Sequence, residues 1–210
     1  MDKRIPTLIF DFDGTIADTH QYVVKLYNRI AHELQLHPIL EEELNDLKGK
    51  TALEIITYLK IPLLKVPSIV SRGKRDFNKE IASLKPFLGL KDVLLELKRT
   101  GVRLGILSSN ASDNVTHFLD IHQLNIFDFI HTTTMVWSKN LSLKKMIDDH
   151  HLDPQDLIYI GDEIRDILMA RKLKISVAAV SWGYNSRKVL QQYRPDFLLS
   201  EPQELFSIVN

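Results

Sequence analysis

Short runs of apolar residues alternate along the chain with segments in which apolar residues recur every three to four positions. The apolar runs occupy residues 7–11, 102–108, 156–161 and 175–182, with weaker examples at 127–131 and 196–199. A short and almost continuous apolar run is typical of a strand covered on both faces. The segments between them predict helices over 90–100, 113–124, 140–151 and 163–173. This alternation predicts an α/β fold, with a Rossmann-like parallel sheet flanked by helices.

Residues from about 18 to 85 depart from this alternation, because they show helical spacing and no convincing buried strand. One apolar stripe at helical spacing comprises Val23, Leu26, Tyr27, Ile30 and Leu34. Thr51 and Glu54 have the spacing of a capping box at the start of a further helix. We therefore predict an α/β core over 1–17 and 86–210, interrupted by an all-helical cap over 18–85.

Composition and charge narrow the classes of function. The chain has 210 residues, 44 % of them apolar, a formal net charge of zero and no cysteine. This charge balance lacks the basic surface expected of a protein that binds nucleic acid or a membrane surface. No apolar run reaches the roughly 18 residues of a membrane span, and acids interrupt the apolar run near the N-terminus. We expect a cytoplasmic protein with no nucleic-acid or membrane partner.

Polar side chains follow three of the predicted strands, at the point where each strand ends. These residues are Asp11 and Asp13 after the first strand, Ser108, Ser109 and Asn110 after the second, and Asp162, Glu163 and Asp166 after the strand at 156–161. In open parallel sheets, ligands bind in a crevice at the carboxyl ends of the strands. We therefore expect several carboxylates to share one crevice.

Crowded carboxylates repel one another and are costly to desolvate, so such a site needs a shared proton or a bound cation. The donors are oxygen atoms, which favours a hard ion and Mg²⁺ above the others. A cation in an acidic cleft suits a phosphate ester, because it offsets the repulsion between substrate and carboxylates. A carboxylate can then act as the nucleophile and form an aspartyl-phosphate.

Three segments carry a resemblance to a known family. DFDGT, ILSSN and YIGDEIRD resemble, in the right order, three motifs of the haloacid dehalogenase superfamily. The resemblance covers nearly the whole predicted core. The helical insertion is similar to the family's C1 cap, and SWGYNS and PDFLLSEPQEL resemble the branch that includes phosphoglycolate phosphatases.

The resemblance implies different roles for the acids. Asp11 would be the nucleophile, and Asp13 would first protonate the leaving oxygen and then activate water. Mg²⁺ would be held by Asp11, the backbone carbonyl of Asp13 and Asp162. Asp166 would support the ion, with Glu163 as a further candidate.

The resemblance also implies residues that bind the phosphoryl group. Ser108 would donate a hydrogen bond to it, backbone N–H groups near Ser109 and Asn110 would add donors, and Gly14 and Thr15 are expected at the same site.

A lysine is needed beside the phosphate in this family, and three candidates precede the strand at 156–161. Lys139 fits best by its spacing to Asp162, whereas Lys144 and Lys145 lie within a helical pattern. Lys144 and Lys145 therefore read as exposed surface charges, and Lys139 as the site lysine.

The insertion carries a basic cluster formed by Arg72, Lys74 and Arg75. Such a cluster is typical of a solvated helix face. The alternative is a cap that presents these cations to an anionic substrate.

The resemblance implies a Mg²⁺-dependent phosphomonoester hydrolase that acts on a small phosphorylated metabolite, with phosphoglycolate first and a sugar phosphate or nucleotide as alternatives. An acid at Asp13 favours phosphate chemistry over dehalogenation, because a halide leaving group needs no proton. A phosphomutase similar to β-phosphoglucomutase would use the same core motifs. A non-enzymatic phospho-acceptor switch is the other alternative, but it would not need a general acid.

Overall fold

The computed structural model describes residues 5–133 and 138–209, and for Lys74 and Asn78 the backbone alone. Within these residues the strands form one parallel sheet in the order β3-β2-β1-β4-β5-β6. They are β1 (Thr7–Phe10), β2 (Arg103–Ser108), β3 (Phe129–Thr132), β4 (Leu157–Gly161), β5 (Ser176–Val180) and β6 (Phe197–Leu199). Each predicted apolar run, including the two weaker ones, forms a strand, and the predicted parallel sheet is confirmed.

The helices lie in the segments between the strands, as predicted. They are α1 (His20–Leu34), α2 (Leu44–Leu47), α3 (Ala52–Tyr58), α4 (Val66–Glu80), α5 (Leu90–Arg99), α6 (Ser112–His122), α7 (Lys139–Asp149), α8 (Ile164–Lys172) and α9 (Arg187–Gln192). Of the helices described, none is both long and apolar enough to cross a bilayer.

The central strand β1 sends alternate side chains into two hydrophobic layers. Leu8 and Phe10 pack in one cluster with Phe118 of α6. Ile9, between them, packs in the other cluster with Leu143 of α7. Burial of each such side chain contributes about 1.5–3 kcal/mol, so these two layers fix β1 at the centre of the sheet.

The register of the sheet brings the ends of its central strands together. Phe10 is aligned with Ile106 of β2 and with Ile160 of β4. Asp11 continues the strand, and its backbone N–H donates to the carbonyl oxygen of Ile160 at 2.8 Å. Asp162 follows directly after β4, so it emerges at the same edge as Asp11.

The segment between β1 and α5 is helical, with α1 to α4 and short 3₁₀ turns and no strand across residues 18–85. Its two connections to the core run side by side. The N–H of Asp18 donates to the carbonyl of Lys85 at 2.9 Å, and that of Phe87 donates to the carbonyl of Ile16 at 3.2 Å. This arrangement is consistent with an all-helical cap, and the boundaries 17/18 and 85/86 stay a prediction.

The predicted capping box is present at the start of α3. The Thr51 N–H donates to Oε2 of Glu54 at 2.7 Å, and the Glu54 N–H donates to Oγ1 of Thr51 at 3.4 Å. Two of the N–H groups that a helix start leaves without helical partners are thereby satisfied.

Candidate active site

Asp11 lies at the end of β1 with its carboxyl group almost fully buried. Oδ1 accepts a hydrogen bond from the Phe12 N–H at 2.7 Å, and Oδ2 pairs with the Lys139 ammonium at 2.5 Å. Burial raises the pKa of Asp11 above its ordinary value, although Lys139 acts to lower it. A carboxylate held in this way has a fixed orientation and little water around it.

Lys139 is the first residue of α7 and is buried between two acids. Its Nζ atom lies 2.5 Å from Oδ2 of Asp11 and 3.0 Å from Oδ1 of Asp166. Burial acts to lower the pKa of Lys139, but the two carboxylates raise it above its ordinary value. Lys144 and Lys145 are exposed on the same helix, so Lys139 is the candidate lysine that the fold brings to the site.

Asp162 is fully buried and each of its carboxylate oxygens has a donor. Oδ1 accepts from the Thr15 hydroxyl at 2.8 Å, and Oδ2 accepts from the Tyr184 N–H at 2.7 Å. Burial, followed by the charges of Glu163, Asp11 and Asp166, raises the pKa of Asp162 well above its ordinary value. The two hydrogen bonds therefore fix the orientation of the Asp162 carboxylate, and three neighbouring acids repel its negative charge.

Asp11, Asp162 and Asp166 are close enough to hold one cation. Each offers a carboxylate oxygen, and these oxygens lie within 4.8 Å of one another. All three residues are buried, so their mutual repulsion is poorly screened. The donor set consists of oxygen atoms, which fits Mg²⁺.

Asp13 is half-buried and faces the tip of the loop after β2. The Asn110 side-chain amide lies 3.3 Å from each oxygen of Asp13. Burial, with the charge of Asp11 second, raises the pKa of Asp13 to about 7. A carboxyl group with this pKa can both give and take a proton near neutral pH.

The loop after β2 is organised by Ser108 and Asn110. The Ser108 hydroxyl oxygen accepts from the Asn110 N–H at 2.9 Å, and Oδ1 of Asn110 accepts from the amide of Asn114 at 2.8 Å. These bonds fix the loop from which Ser109 and Asn110 face a cavity shared with Asp13. Ser109 and Asn110 thus line the cavity beside Asp13, whereas Ser108 is fully buried, and its contact with a phosphoryl group stays a prediction.

Thr15 and Gly14 occupy positions behind the acids. Thr15 is fully buried, and its hydroxyl is bonded to Asp162. Its hydroxyl therefore orients the carboxylate of Asp162, and a direct contact of Thr15 with the substrate stays a prediction. Gly14 has a φ angle of +77°, and a Cβ atom there would lie 2.3 Å from Oδ2 of Asp162.

We expect Gly14→Ala to destabilise the protein more than Gly101→Ala. Both residues have positive φ angles, +77° and +86°, and a Cβ at Gly101 would have nothing within 4 Å. Gly101→Ala should therefore cost only the backbone term of about 1–2 kcal/mol. Gly14→Ala should cost about 1–3 kcal/mol more through the clash with Asp162, and should also lower activity. Urea unfolding of both variants measures the difference, and equal losses would contradict it.

Asn185 joins the insertion to the core and was not singled out by the sequence. It is buried, its Oδ1 accepts from the Ile164 N–H at 3.0 Å, and its Nδ2 lies 3.1 Å from the carbonyls of both Lys48 and Lys50. One side chain thus ties the loop before α3 to the start of α8. Its place in the SWGYNS segment was the only sequence signal.

We expect Asn185→Ala to cost about 2–3 kcal/mol of unfolding free energy and to weaken substrate binding. The variant removes the partner of the Ile164 N–H and of the Lys50 carbonyl, while the Lys48 carbonyl keeps its bond from the Ser186 N–H at 2.9 Å. Asn125→Ala is the matched control, because Asn125 is exposed and donates to Asp120 on the surface. Urea unfolding measures the loss of stability, and KM measures the loss of substrate binding. Similar values for both variants would be evidence against a connecting role for Asn185.

A cavity of about 400 Å³ lies between the insertion and the core, and we call it the cap cavity. Asp13, Ser109 and Asn110 line it on the core side. Two residues of the basic cluster, Arg72 and Arg75, are not among the residues that line the cap cavity. Arg72 pairs with Glu33 of α1, and Arg75 is exposed. The Lys74 side chain lies outside the described part of the structure.

The chain is similar in sequence to enzymes along nearly its whole length. It is 32 % identical over 203 residues to the phosphoglycolate phosphatase of Synechococcus elongatus, with 96 % of each chain covered. It is 27 % identical over 222 residues to the pyrophosphatase PpaX of Bacillus cereus, with 99 % of this chain and 97 % of that protein covered.

Solved structures with a similar fold include a haloacid dehalogenase-like hydrolase and a protein solved with phosphate, and a family model also matches the chain. The fold matches a haloacid dehalogenase-like hydrolase from Streptococcus pneumoniae with a TM-score of 0.83 at 22 % identity, over 98 % of this chain and 99 % of that one. It matches CbbY from Rhodobacter sphaeroides, solved with phosphate, with a TM-score of 0.74 at 21 % identity and 96 % of each chain. Residues 8–180 match the family described as haloacid dehalogenase-like hydrolase. The chain therefore belongs to the haloacid dehalogenase-like hydrolases.

Proposed function

We propose that the protein is a Mg²⁺-dependent phosphomonoester hydrolase that acts on a small phosphorylated metabolite through an aspartyl-phosphate. The observation that carries this proposal is the buried group of Asp11, Asp162 and Asp166. Lys139 pairs with Asp11 and Asp166. Asp13 lies two residues after Asp11. Relatives that are named phosphoglycolate phosphatase and pyrophosphatase support phosphate as the group transferred.

In the proposed first step, a carboxylate oxygen of Asp11 attacks phosphorus. The bond from phosphorus to the leaving oxygen breaks, and Asp13 gives its proton to that oxygen. In the second step, Asp13 takes a proton from water as the water oxygen attacks the aspartyl-phosphate. This returns Asp11 as a carboxylate and releases inorganic phosphate, so one acid carries the phosphoryl group and the other carries the protons.

The surrounding groups orient the acids and balance their charge. Asp11, the Asp13 carbonyl and Asp162 would hold Mg²⁺, with Asp166 in support, and the ion would offset repulsion between the substrate and the acids. Lys139 holds the Asp11 carboxylate in one orientation, and Thr15 does the same for Asp162. The loop that contains Ser108 would supply hydrogen-bond donors to the phosphoryl oxygens.

Hydrolysis of p-nitrophenyl phosphate and of a panel of phosphorylated metabolites tests this function. We expect inorganic phosphate to be released with Mg²⁺ and release to stop with EDTA. A sugar phosphate converted to its isomer without free phosphate would instead identify a phosphomutase. An aspartyl-phosphate that persists for many minutes without turnover would identify a phospho-acceptor switch.

We expect the pH dependence of turnover to follow Asp13. Since the pKa of Asp13 is raised to about 7, the proton donor is lost above that pH. The value of kcat/KM for an alkyl phosphate should then fall about tenfold per pH unit on the alkaline side. Below pH 7 the donor stays protonated, so kcat/KM should reach a plateau and then fall at lower pH as the nucleophile Asp11, whose pKa burial also raises, takes up a proton.

The leaving group provides the control for this assignment. Asp13→Asn should lower kcat/KM for an alkyl phosphate by about 10²–10⁴-fold. It should lower kcat/KM for p-nitrophenyl phosphate much less, because p-nitrophenolate leaves without a proton. Equal losses for the two esters would contradict the role of Asp13 as a general acid.

A further inference from the structure

The position of the cap cavity links it to the leaving group of the substrate. Asp13 forms part of its wall, together with Ser109 and Asn110. As the proposed proton donor, Asp13 must come within about 2.6–3.2 Å of the leaving oxygen. The alcohol attached to that oxygen therefore occupies the cap cavity.

The wall that the insertion contributes to this cavity is mainly apolar, and the hydroxyl of Tyr27, which also lines it, is bonded to the carbonyl of His37 at 2.8 Å. Helices α1 and α4 provide Val23, Leu26, Ile30, Ile69, Val70 and Phe77. Val23 and Val70 are 37 % and 44 % exposed, so part of this surface is open to a ligand. A volume of about 400 Å³ is within the range of sites that enclose organic ligands larger than a two-carbon acid.

The charges at the cavity do not suit a second anion on the substrate. Among the described side chains of its lining, the charged ones are Asp13, Glu163 and Arg165, all from the core. Arg165 is paired with Glu163, with Nη2 and Oε1 2.5 Å apart. The charge of Arg165 is thus balanced by Glu163, although its buried Nε–H has no partner among the described residues, and the described side chains of the lining offer a second anion no unbalanced positive charge.

Two lysines near this region line a different cavity. Lys48 and Lys50 line a neighbouring space of about 210 Å³, whose lining includes neither Asp13 nor the loop after β2. The ammonium of Lys50 lies 5.3 Å from the centre of the Tyr58 ring. The two spaces adjoin, since Val23 and Tyr184 line both, but of the two it is the cap cavity that reaches Asp13, so a leaving group beside Asp13 first meets the apolar wall.

We propose that the preferred substrate is a phosphomonoester whose leaving group is uncharged and apolar, in preference to glycolate or a second phosphate. The inference rests on the proposed hydrolase function and specifies its substrate class. Apolar contacts would supply the binding free energy, and the phosphoryl site would supply the chemistry.

A homologous series of n-alkyl phosphates from ethyl to hexyl tests the proposal, with phosphoglycolate compared against propyl phosphate of similar size. We expect kcat/KM to rise about two- to fourfold for each added methylene, up to the value for complete burial of that group. Propyl phosphate should be hydrolysed with a higher kcat/KM than phosphoglycolate. A flat series, or phosphoglycolate favoured by tenfold or more, would overturn the proposal.

Val70→Asp and Leu64→Asp form a matched pair for the same measurement. Val70 lines the cap cavity, whereas Leu64 is 95 % exposed on the insertion and is not among the lining residues. Val70→Asp should reduce the ratio of kcat/KM for hexyl over ethyl phosphate at least tenfold, and Leu64→Asp should leave that ratio unchanged. An unchanged ratio in Val70→Asp would count against the apolar wall. Failure of the hydrolase function itself would look different, since no ester of the series would then release phosphate with Mg²⁺.

Discussion

Asp11→Asn should lower kcat for phosphomonoester hydrolysis at least about 10³-fold, while the protein still folds. The amide oxygen of asparagine is a poor nucleophile, and loss of the reacting group in a concerted site costs most of the catalysis. The change preserves side-chain volume in a buried position. It also removes one of the two negative charges that face Lys139.

Steady-state hydrolysis of p-nitrophenyl phosphate with Mg²⁺ measures this effect, and urea unfolding verifies that the variant is folded. Asp148→Asn is the matched control, because Asp148 is exposed on α7. The control should retain wild-type kcat. Full activity in Asp11→Asn would refute the nucleophile assignment and the mechanism with it.

Lys139→Met should have the largest effect on stability. Its ammonium is buried between Asp11 and Asp166, and removing one partner of a buried ionic group costs about 3–5 kcal/mol. Burial already raises the pKa of Asp11, and loss of Lys139 should raise it further. The folded protein would then hold a proton that the unfolded chain has released, so the deficit should be larger at pH 8 than at pH 5.

Urea unfolding in EDTA at both pH values tests this prediction, with Lys144→Met as the control. Lys144 is exposed on the same helix, and its replacement should change stability by no more than about 0.5 kcal/mol. Added Mg²⁺ should recover part of the loss in Lys139→Met, since it would neutralise the same acids. Equal stability of the two variants would show that the buried ion pairs contribute little.

The sheet and its flanking helices followed closely from the sequence, because burial on both faces leaves a simple signature. The continuous apolar run of β1 reflects Leu8 and Phe10 in one layer and Ile9 in the other. The grouping of acids at the site could also be predicted from the sequence. Residues that follow neighbouring parallel strands, such as Asp11 and Asp162, lie at the same edge of the sheet whatever their separation along the chain.

The hydrogen bonds that orient the acids and connect the insertion to the core could not be predicted from the sequence, because they join residues far apart along the chain. The hydroxyl of Thr15 is bonded to Asp162, 147 positions away. Asn185 reaches across a similar separation, to Lys48 and Lys50. Neither distance leaves a local pattern such as the capping box at Thr51.

The apolar stripe of α1 was predicted from the sequence, but its contribution to the wall of the cap cavity was not. Leu26 and Ile30 are buried, as an amphipathic pattern predicts, and they also line the cap cavity. Helical periodicity identifies the face that turns inward but not whether it meets a neighbouring helix or an open space. That distinction depends on how α1 and α4 are placed over the core.

Mass spectrometry of the covalent intermediate tests the central claim most directly. Asp13→Asn should still allow Asp11 to attack p-nitrophenyl phosphate, but it removes the base that activates water, so the aspartyl-phosphate should accumulate. After acid quenching and digestion, we expect one phosphoryl group on the peptide that contains Asp11, and none when Asp11→Asn is added. Phosphate released with no enzyme-bound intermediate, or a phosphoryl group on another peptide, would contradict the account.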